Sequence, residues 1–326
     1  MGNEIENYNA PLPGATDIDS ANKRISEYVK RTPLLTCTTL DDLSGASLVF
    51  KCENLQKAGA FKYRGATNAI LKLTPLQASK GVCTHSSGNH AQALALAAKT
   101  QGIAAYIVMP ANAPQVKVDA VNGYNGNITF CEPTLQARES TLEKVQQETG
   151  AEFIHPYNNI DVIEGQATCF YELLQQLKTA PDYIITPVGG GGLLSGTILA
   201  ARYFASRTKV IGAEPIMAND AWQSLKAGTF IPSENPQTIA DGLKTSLGSI
   251  TWPVIRDNVS DILTVSEESI VNAMYLVWER MKIVIEPSAA VPLAAVLENK
   301  ELFRNKKVAV VFSGGNTDLK NLPWNL

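Results

Sequence analysis

The sequence predicts an α/β fold, in which mostly parallel strands are flanked by helices. From Ala46 onward, short runs of β-branched residues alternate with longer stretches of helical character, and this alternation is typical of a parallel sheet. Two of these runs end in glycine-rich turns, near Val188 and Phe312. With 326 residues, of which 45% are hydrophobic, the chain is long enough for two domains or one large one.

Individual elements follow from the same alternation. The predicted strands are 46–52, 104–110, 183–188, 209–215, 261–265 and 307–312, with a further short strand that ends near Thr84. The predicted helices are 61–73, 89–100, 135–149, 164–177, 193–204 and 267–282. Ser266 is a candidate N-cap of the last helix, because Glu267 and Glu268 would complement the helix dipole in its first turn. No repeat or linker marks a domain boundary, so two lobes would be joined by short crossovers.

Composition and charge exclude several classes of partner. The formal net charge is −3 and 18% of the residues are charged, so there is no basic field to attract nucleic acid or an anionic membrane. The five cysteines, at positions 37, 52, 83, 131 and 169, form none of the C-x-x-C pairs of a zinc site. The N-terminus lacks the pattern of a secretion signal, and no apolar run approaches the roughly 18 residues of a membrane span. We therefore expect a cytoplasmic protein with reduced cysteines that binds neither nucleic acid nor membranes.

Four glycines follow one of the predicted strands. In TPVGGGGLLSGT the strand ends in Gly189, Gly190, Gly191 and Gly192, and an apolar helix begins directly afterwards. Such a turn can direct several backbone N–H groups at one point beside the positive end of a helix dipole, which suits a phosphate; a flexible turn is the alternative. The turn has neither the P-loop lysine nor the spacing of a dinucleotide fingerprint, so we expect a monophosphate.

Polar residues gather at two further strand ends. The loop HSSGNHAQ carries Ser86, Ser87, Asn89 and His90 at the start of a helix, where they suit a carboxylate, and Ser313 follows the last strand. Ligands of parallel sheets bind beyond the carboxyl ends of the strands, so these loops and the glycine turn are expected to face one crevice. Taken alone, Ser313 is equally well explained as a turn residue, and His90 as a helix-capping or core histidine.

One lysine has unusual neighbours. In NLQKAGAFKYRGATNA (54–69), Lys62 directly follows Phe61 and is surrounded by glycines and alanines rather than by carboxylates. A lysine is by default a solvated surface charge. Together with a monophosphate turn, a strand-end serine and a carboxylate loop, however, Lys62 points to pyridoxal 5′-phosphate, whose aldehyde condenses with a lysine amine.

These motifs resemble the fold-type II pyridoxal-phosphate enzymes, and within them the eukaryotic serine racemases and serine/threonine dehydratases. The resemblance runs from RTPLL (31–35) to SGGNTD (313–318) and includes FKYRGA, SSGNHAQA, GGGGLLSG, AEP with a later ND, IADG, WERMK, IEP and SGGN. It implies two lobes, each with a mostly parallel twisted sheet flanked by helices. Residues 1–80 and 158–326 would form a large cofactor-binding domain, and residues 81–157 a small mobile domain. A homodimer is also implied.

The resemblance further implies roles for individual residues. Lys62 would bind the cofactor covalently, and Phe61 would pack against its ring. The other cofactor contacts would come from Asn89, Gly189, Gly190, Gly191, Gly192, Gly242, Glu286 and Ser313. The substrate carboxylate would be received by Ser86, Ser87, Asn89, His90 and Arg138.

The implied activity is that of a serine racemase that also dehydrates serine and threonine. Lys62 would abstract the Cα proton of the amino acid, and Ser87 is the candidate acid on the opposite face. Many similar dehydratases have alanine at the position of Ser87, although some hydroxyaspartate dehydratases share SSGNH. A dehydratase of L-serine, L-threonine or 3-hydroxyaspartate, or an aspartate racemase, is therefore the alternative. A non-catalytic module that binds pyridoxal phosphate or a nucleotide is a more remote one.

Two further ligands are implied. Glu214, Asp220 and the Ala218 carbonyl offer hard oxygen ligands for Mg²⁺, Ca²⁺ or Mn²⁺, where the alternative is a solvated turn. ATP activates some serine racemases at a subunit interface. The positions that match its site are Lys57, Gln92, Tyr124, Arg280, Lys282 and Asn316. For the two basic residues of WERMK, an exposed helix face is the alternative.

Four residues depart from the usual family pattern. Glu164 and Ala167 replace alanine and glycine near the expected hinge between the lobes, so substrate size or lobe closure would differ. Thr245 stands where relatives often have serine and would alter contacts to the substrate side chain. Pro292 stands where many relatives have glycine or another small residue, and the sequence offers no functional account of it.

Overall fold

The structure is a computed structural model that describes residues 11–324. Its strands are β1 (Leu34–Leu35), β2 (Ser47–Cys52), β3 (Val82–His85), β4 (Ala105–Pro110), β5 (Asn127–Cys131), β6 (Glu152–Phe153), β7 (Tyr183–Pro187), β8 (Lys209–Pro215), β9 (Asp261–Val265) and β10 (Lys307–Phe312). Its α-helices are α1 (Ala15–Ile25), α2 (Thr38–Ser44), α3 (Lys62–Leu71), α4 (Pro75–Lys80), α5 (Asn89–Thr100), α6 (Gln115–Gly123), α7 (Leu135–Thr149), α8 (Ile160–Gln176), α9 (Gly192–Phe204), α10 (Asp220–Ala227), α11 (Thr251–Asn258), α12 (Glu267–Leu276), α13 (Pro287–Glu298) and α14 (Lys300–Phe303). The expected absence of a secretion signal concerns in part residues 1–10, which lie outside this range.

The strands form two sheets, which confirms the predicted α/β class. The larger sheet has the order β1-β2-β10-β7-β8-β9, and the smaller has the order β5-β4-β3-β6. All neighbouring strands are parallel except β1 and β2, which are antiparallel. The central strand β10 is buried from Val308 to Phe312, as expected of a parallel strand covered by helices on both faces. Among the helices of residues 11–324, none combines the length and apolar character that crossing a lipid bilayer requires.

Some of the predicted helix boundaries agree with the structure, and others were wrong by several residues. The predicted helices 89–100 and 135–149 coincide with α5 and α7. The helix predicted at 164–177 begins earlier, at Ile160, because the Asn159 side chain caps it by accepting a hydrogen bond from the Val162 N–H at 3.0 Å. The helix predicted at 267–282 ends as an α-helix at Leu276 and continues as one π-helical turn.

Helices α3, α8 and α9 pack with their backbones close together. A Cβ atom on Gly65 would lie 2.7 Å from the Val162 carbonyl oxygen, and one on Gly196 would lie 2.6 Å from the Ala167 nitrogen. Ala167 therefore faces α9, and this contact leaves no room for a side chain at Gly196. This packing fixes the direction of α3, the helix that begins with Lys62.

Two other residues that depart from the family pattern lie in helices, Glu164 in α8 and Pro292 in α13. Glu164 is buried and accepts hydrogen bonds from Arg24 at 3.1 Å and Lys72 at 2.6 Å, so it ties α8 to α1 and α3. Pro292 is buried inside α13, which continues through it. Nothing in the structure explains why proline is used there.

A buried group of four charged side chains connects β2, α3 and α8. The Arg64 guanidinium donates two hydrogen bonds of 2.8 Å to the Glu53 carboxylate, and others of 2.9 and 3.2 Å to Glu172. Lys51 donates to Glu172 as well, so two positive charges neutralise two negative ones. Burial alone would raise the pKa of Glu53, but Arg64 outweighs it and holds that pKa below the usual carboxylate value.

We expect Arg64→Met to destabilise the protein by about 3–5 kcal/mol, because the substitution leaves the buried Glu53 carboxylate without its paired cation and leaves Glu172 with Lys51 alone. Lys23→Met is the matched control, since Lys23 pairs with Asp19 at the surface with its side chain 74% exposed. The control should lose far less stability than Arg64→Met in urea unfolding. Equal losses in the two variants would show that the buried cluster contributes no more than a surface pair.

Candidate active site

Lys62 begins α3 and lies between two aromatic rings. Its Nζ donates a hydrogen bond of 2.8 Å to the Pro156 carbonyl, and it lies 5.2 Å from the centroid of the Phe61 ring and 6.0 Å from that of Tyr157. Burial lowers the pKa of Lys62 to about 8, against the opposing charge of Glu286. A larger fraction of this amine is therefore uncharged near neutral pH than for an ordinary lysine, as a nucleophile or a base requires.

The four glycines form the turn between β7 and α9. A Cβ atom on Gly190 would lie 2.2 Å from the Tyr157 ring, and one on Gly189 would lie 3.0 Å from the Gly242 carbonyl oxygen. Gly191 has a φ of +84°, which favours glycine as well. Within the part of the chain that the structure describes, the N–H groups of Gly189, Gly190 and Gly191 donate no hydrogen bond, although the turn is buried. Unpaired N–H groups at a helix N-terminus fit the phosphate of the expected cofactor.

Asn89, Glu286 and Asn316 form one hydrogen-bonded network. The Asn89 amide donates to Glu286 at 2.8 and 3.1 Å, and the Asn316 side chain donates to Asn89 Oδ1 at 2.9 Å. The Asn316 backbone N–H donates to Glu286 at 3.2 Å. Burial raises the pKa of Glu286 to about 7, and the charge of Asp241 adds to this shift. Asn316 was expected in the ATP set, and the structure brings it next to two residues of the cofactor set.

Ser313 lies where β10 meets the start of α3. The side chain is buried, and the Ser313 carbonyl accepts a hydrogen bond of 2.9 Å from the Phe61 N–H. Gly315 donates to the Gly59 carbonyl at 2.9 Å, and a Cβ atom on Gly59 would lie 2.3 Å from Asn316 Oδ1. The end of β10 and the Lys62 turn are thus held together by backbone contacts.

The loop before α5 carries the residues expected to receive the substrate carboxylate. Ser86 Oγ accepts a hydrogen bond of 3.3 Å from the Gly88 N–H, and Ser87 is half-buried. The His90 ring is buried, and its Nε2 lies 3.0 Å from the Ile154 carbonyl. Burial, together with the charge of Lys62, lowers the pKa of His90 to about 3. His90 is thus a neutral imidazole that donates from Nε2 to a carbonyl.

Arg138 lies in the first turn of α7. This helix belongs to the smaller-sheet unit, which comprises strands β3 to β6 and the helices between them, as opposed to the larger-sheet unit around the other sheet. Arg138 is half-buried, and its Nε donates to the Thr134 carbonyl at 3.4 Å. Besides burial, its charge lowers the pKa of His85, which ends β3. The structure therefore brings Arg138 toward the carboxyl end of β3, where the expected substrate loop begins. Among residues 11–324, no carboxylate forms an ion pair with it.

Sequence reasoning missed two residues of this site, His155 and Tyr157. His155 Nδ1 accepts hydrogen bonds from the backbone N–H groups of Tyr157 at 3.3 Å and Asn158 at 3.0 Å. This turn sets the Tyr157 ring against Gly190 and presents the Pro156 carbonyl to Lys62. The only signal was the aromatic pair in HPY, because the preceding strand β6 has two residues and shows no periodicity.

The expected metal ligands lie together at the end of β8. Glu214 accepts hydrogen bonds from the N–H groups of Ala221 at 3.3 Å and Trp222 at 2.7 Å, so it also caps α10. Asp220 is 4% exposed, and within residues 11–324 neither of its carboxylate oxygens meets a hydrogen-bond donor at bonding geometry. Burial raises the pKa of Asp220 to about 7. A divalent cation would compensate two buried carboxylates, with the buried Ala218 supplying its carbonyl, so the donor set fits a hard metal ion.

The remaining residues of the expected ATP set lie in two places. Lys57 precedes α3 and lies 5.9 Å from the Tyr63 ring centroid, and its turn packs against α5, which carries Gln92. Tyr124 ends α6, which also packs on α5. Arg280 and Lys282 are exposed and contact Glu279, Arg280 through an ion pair of 3.1 Å.

Comparisons with known proteins agree with this geometry. Residues 25–314 match the sequence profile of the family described as pyridoxal-phosphate dependent enzyme. The chain is 51% identical to the beta-hydroxyaspartate dehydratase of Paracoccus denitrificans, over 96% of this chain and 99% of that protein. It is 52% identical to the serine racemase of Arabidopsis thaliana, over 94% of each. The structure of maize serine racemase has a TM-score of 0.93 and 46% identity, and the match covers 97% of each chain. The chain therefore belongs to the family of pyridoxal-phosphate-dependent enzymes.

Proposed function

We propose that this protein is a serine racemase that interconverts L- and D-serine. It would also dehydrate serine to pyruvate and threonine to 2-oxobutanoate, with release of ammonia. The observation that carries the proposal is the environment of Lys62, a half-buried amine that donates its hydrogen bond to a carbonyl rather than to a carboxylate and has a pKa of about 8. Serine racemases about half identical to the chain, over nearly its whole length, support the choice of reaction.

The site suits pyridoxal phosphate at three points. The unpaired N–H groups of the glycine turn would hold the phosphate, and the Lys62 amine would bind the aldehyde carbon. Asn89 and Ser313 would meet the polar atoms of the ring, with Glu286 and Gly242 beside it. When bound, the cofactor supplies an electron-accepting ring conjugated to the substrate Cα.

Two side chains of the protein would move the protons. Lys62 Nζ would accept the Cα proton on one face, because its lowered pKa keeps a neutral lone pair available. Ser87 Oγ would deliver a proton to the opposite face, which inverts the configuration. Ser86, Asn89 and the N-terminus of α5 would orient the carboxylate, and Arg138 would add charge from the smaller-sheet unit.

Ser313 would determine how the reaction divides between racemisation and elimination. A neutral hydroxyl opposite the pyridine nitrogen gives that nitrogen little reason to hold a proton, unlike a carboxylate. The negative charge that develops at Cα is then less stabilised. Loss of a β-hydroxyl therefore competes with reprotonation, and dehydration accompanies racemisation.

A dehydratase of 3-hydroxyaspartate is the second candidate, with aspartate racemisation as a related activity. Arg138, without an ion-pair partner in the described chain, offers a cation for a second carboxylate. Thr245 lies beside Gly189 and Tyr157, where it could contact the substrate side chain. A relative over half identical is a beta-hydroxyaspartate dehydratase. A non-catalytic module would bind the cofactor but form no keto acid from any of these amino acids.

The proposal also includes domain movement, a cytoplasmic location, a homodimer, a metal ion and ATP. Residues 81–157 would move as a small domain against a large domain formed by 1–80 and 158–326. The protein would act as a cytoplasmic homodimer, with Mg²⁺, Ca²⁺ or Mn²⁺ at Glu214, Ala218 and Asp220. ATP would activate it through the six residues named above.

The rate at which the apoprotein takes up pyridoxal phosphate should rise with pH and level off above about 8. The reason is that the neutral Lys62 amine is the reacting form, and its pKa is about 8. The absorbance band that appears when the cofactor aldehyde condenses with the lysine amine measures this rate. Lys62→Ala should show no such band at any pH, whereas Lys99→Ala, an exposed lysine of α5, should behave as the wild type. A rate that keeps rising to pH 10 would mean that Lys62 has an ordinary pKa.

Ser87→Ala should lower the formation of D-serine from L-serine by about 100-fold or more, because one proton donor is lost. Pyruvate formation should fall by less than about tenfold, since elimination needs only Lys62 on that face. Chiral chromatography and a keto-acid assay on the same samples give both rates. Equal loss of the two activities would contradict the role of Ser87, and absence of D-serine with the wild type would favour the dehydratase.

Asp220→Asn should abolish stabilisation by Mg²⁺. At Mg²⁺ concentrations about 100 times the dissociation constant, the wild type should gain about 2.7 kcal/mol of unfolding free energy. Asp261→Asn is the control, because Asp261 is a surface carboxylate paired with Lys226. An Asp220→Asn protein that still gains stability with Mg²⁺ would exclude this site.

A further inference from the structure

One ion pair joins the two sheet units at the edge of the crevice. Lys117 lies on α6, which follows β4 of the smaller sheet, and its ammonium contacts the carboxylate of Asp241. Asp241 belongs to the segment between α10 and α11, beside the larger sheet. The Lys117 side chain is 19% exposed and that of Asp241 is 49% exposed, so the pair lies at the solvent boundary of the crevice.

Asp241 begins the turn that forms one wall of the cofactor crevice. The next residue, Gly242, donates a hydrogen bond of 3.1 Å from its N–H to Ser288 Oγ. On its other side the turn contacts the glycine turn, since a Cβ atom on Gly189 would lie 3.0 Å from the Leu243 Cα. A displacement of Asp241 would therefore move backbone that contacts both the glycine turn and α13.

Both charges of the pair act on Glu286. After burial, the Asp241 carboxylate is the largest influence that raises the pKa of Glu286, and Lys117 lowers it. Glu286 is hydrogen-bonded to Asn89, at the start of α5. The pair thus lies beside the side chains that would line the cofactor ring, although 124 residues separate its members.

We propose that Lys117 and Asp241 are positioning residues that hold the smaller-sheet unit closed over the Gly242 turn. This inference rests on the proposed function, because it assigns the closed arrangement to the substrate-binding form of the site. When the units separate, Lys117 and Asp241 separate with them and both become hydrated. Loss of the pair would reduce the fraction of molecules in the closed form. Because substrate binds to that form, its apparent affinity would fall by the same factor.

The expected change in substrate affinity follows from the solvent exposure of the Lys117 and Asp241 side chains. A pair of which one member is half exposed changes an equilibrium by about two- to fivefold, and salt screens it. We therefore expect an effect on substrate affinity rather than on the chemical step. The pair Lys226 and Asp261 is the matched control, because it is exposed, has a distance of 3.2 Å, and joins α10 to β9 within the larger-sheet unit.

Charge reversal and charge exchange test the proposal on the holoprotein. Lys117→Asp and Asp241→Lys should each raise the KM for L-serine by about two- to fivefold and leave kcat within about twofold. The double variant Lys117→Asp/Asp241→Lys should return KM to the wild-type value. Lys226→Asp and Asp261→Lys should leave KM unchanged, and thermal unfolding would verify that all variants are folded.

Hydrogen–deuterium exchange provides a readout without turnover. Each single reversal should speed amide exchange in 115–123 and 238–245, and the double variant should restore protection. Single variants that match the Lys226 and Asp261 controls in both KM and exchange would overturn the proposal. A double variant as impaired as the singles would also overturn it. If no amino acid is turned over, the proposed function fails, while the exchange data still decide whether the pair holds the units together.

Discussion

The buried charges around Arg64 are the constraint on which the rest of this site depends. Arg64 is held on two sides, by Glu53 beside β2 and by Glu172 of α8, and none of the three is exposed to solvent by more than a few per cent. Because charges so deep are costly unless paired, the cluster specifies one position for the first turn of α3. Lys62 begins that turn, so its position depends on Arg64 as well as on the close packing of α3 against α8.

Two basic side chains of the same helical turn therefore lie in opposite environments. Arg64 meets two carboxylates, which keep it charged, whereas Lys62 meets one carbonyl and two aromatic rings, which do not. The fold achieves this within three residues because Arg64 faces the interior between β2 and α8, and Lys62 faces the strand ends. Burial without a directly paired carboxylate lowers the pKa of Lys62 and suits it to act as a base, whereas two paired carboxylates keep the buried Arg64 charged and make it a structural residue.

Residues that lie in local motifs could be predicted from the sequence, and residues joined only by the fold could not. The glycine turn, Asn89 and Ser313 could be predicted because each stands in a short motif at a strand end, whereas Glu286 was implied only by the family resemblance. The structure places Asn89 beside Glu286. Strand β5 was missed because its side chains are largely exposed and carry little hydrophobic pattern. Tyr157 and the pair of Lys117 with Asp241 were missed because their partners are distant in the chain. Glu164 was read as a hinge residue, and its partners Arg24 and Lys72 appear only when α1, α3 and α8 are packed.

In the proposed mechanism, two different side chains, Lys62 and Ser87, exchange protons with opposite faces of the substrate. The most direct test is to incubate the wild-type holoprotein with L-serine in D₂O and to follow both enantiomers early in the reaction. The account predicts that the D-serine formed carries deuterium at Cα, while the remaining L-serine is still largely protiated, since the incoming proton comes from a second group in exchange with solvent. D-serine that keeps the original proton would show that a single group serves both faces and would contradict the account.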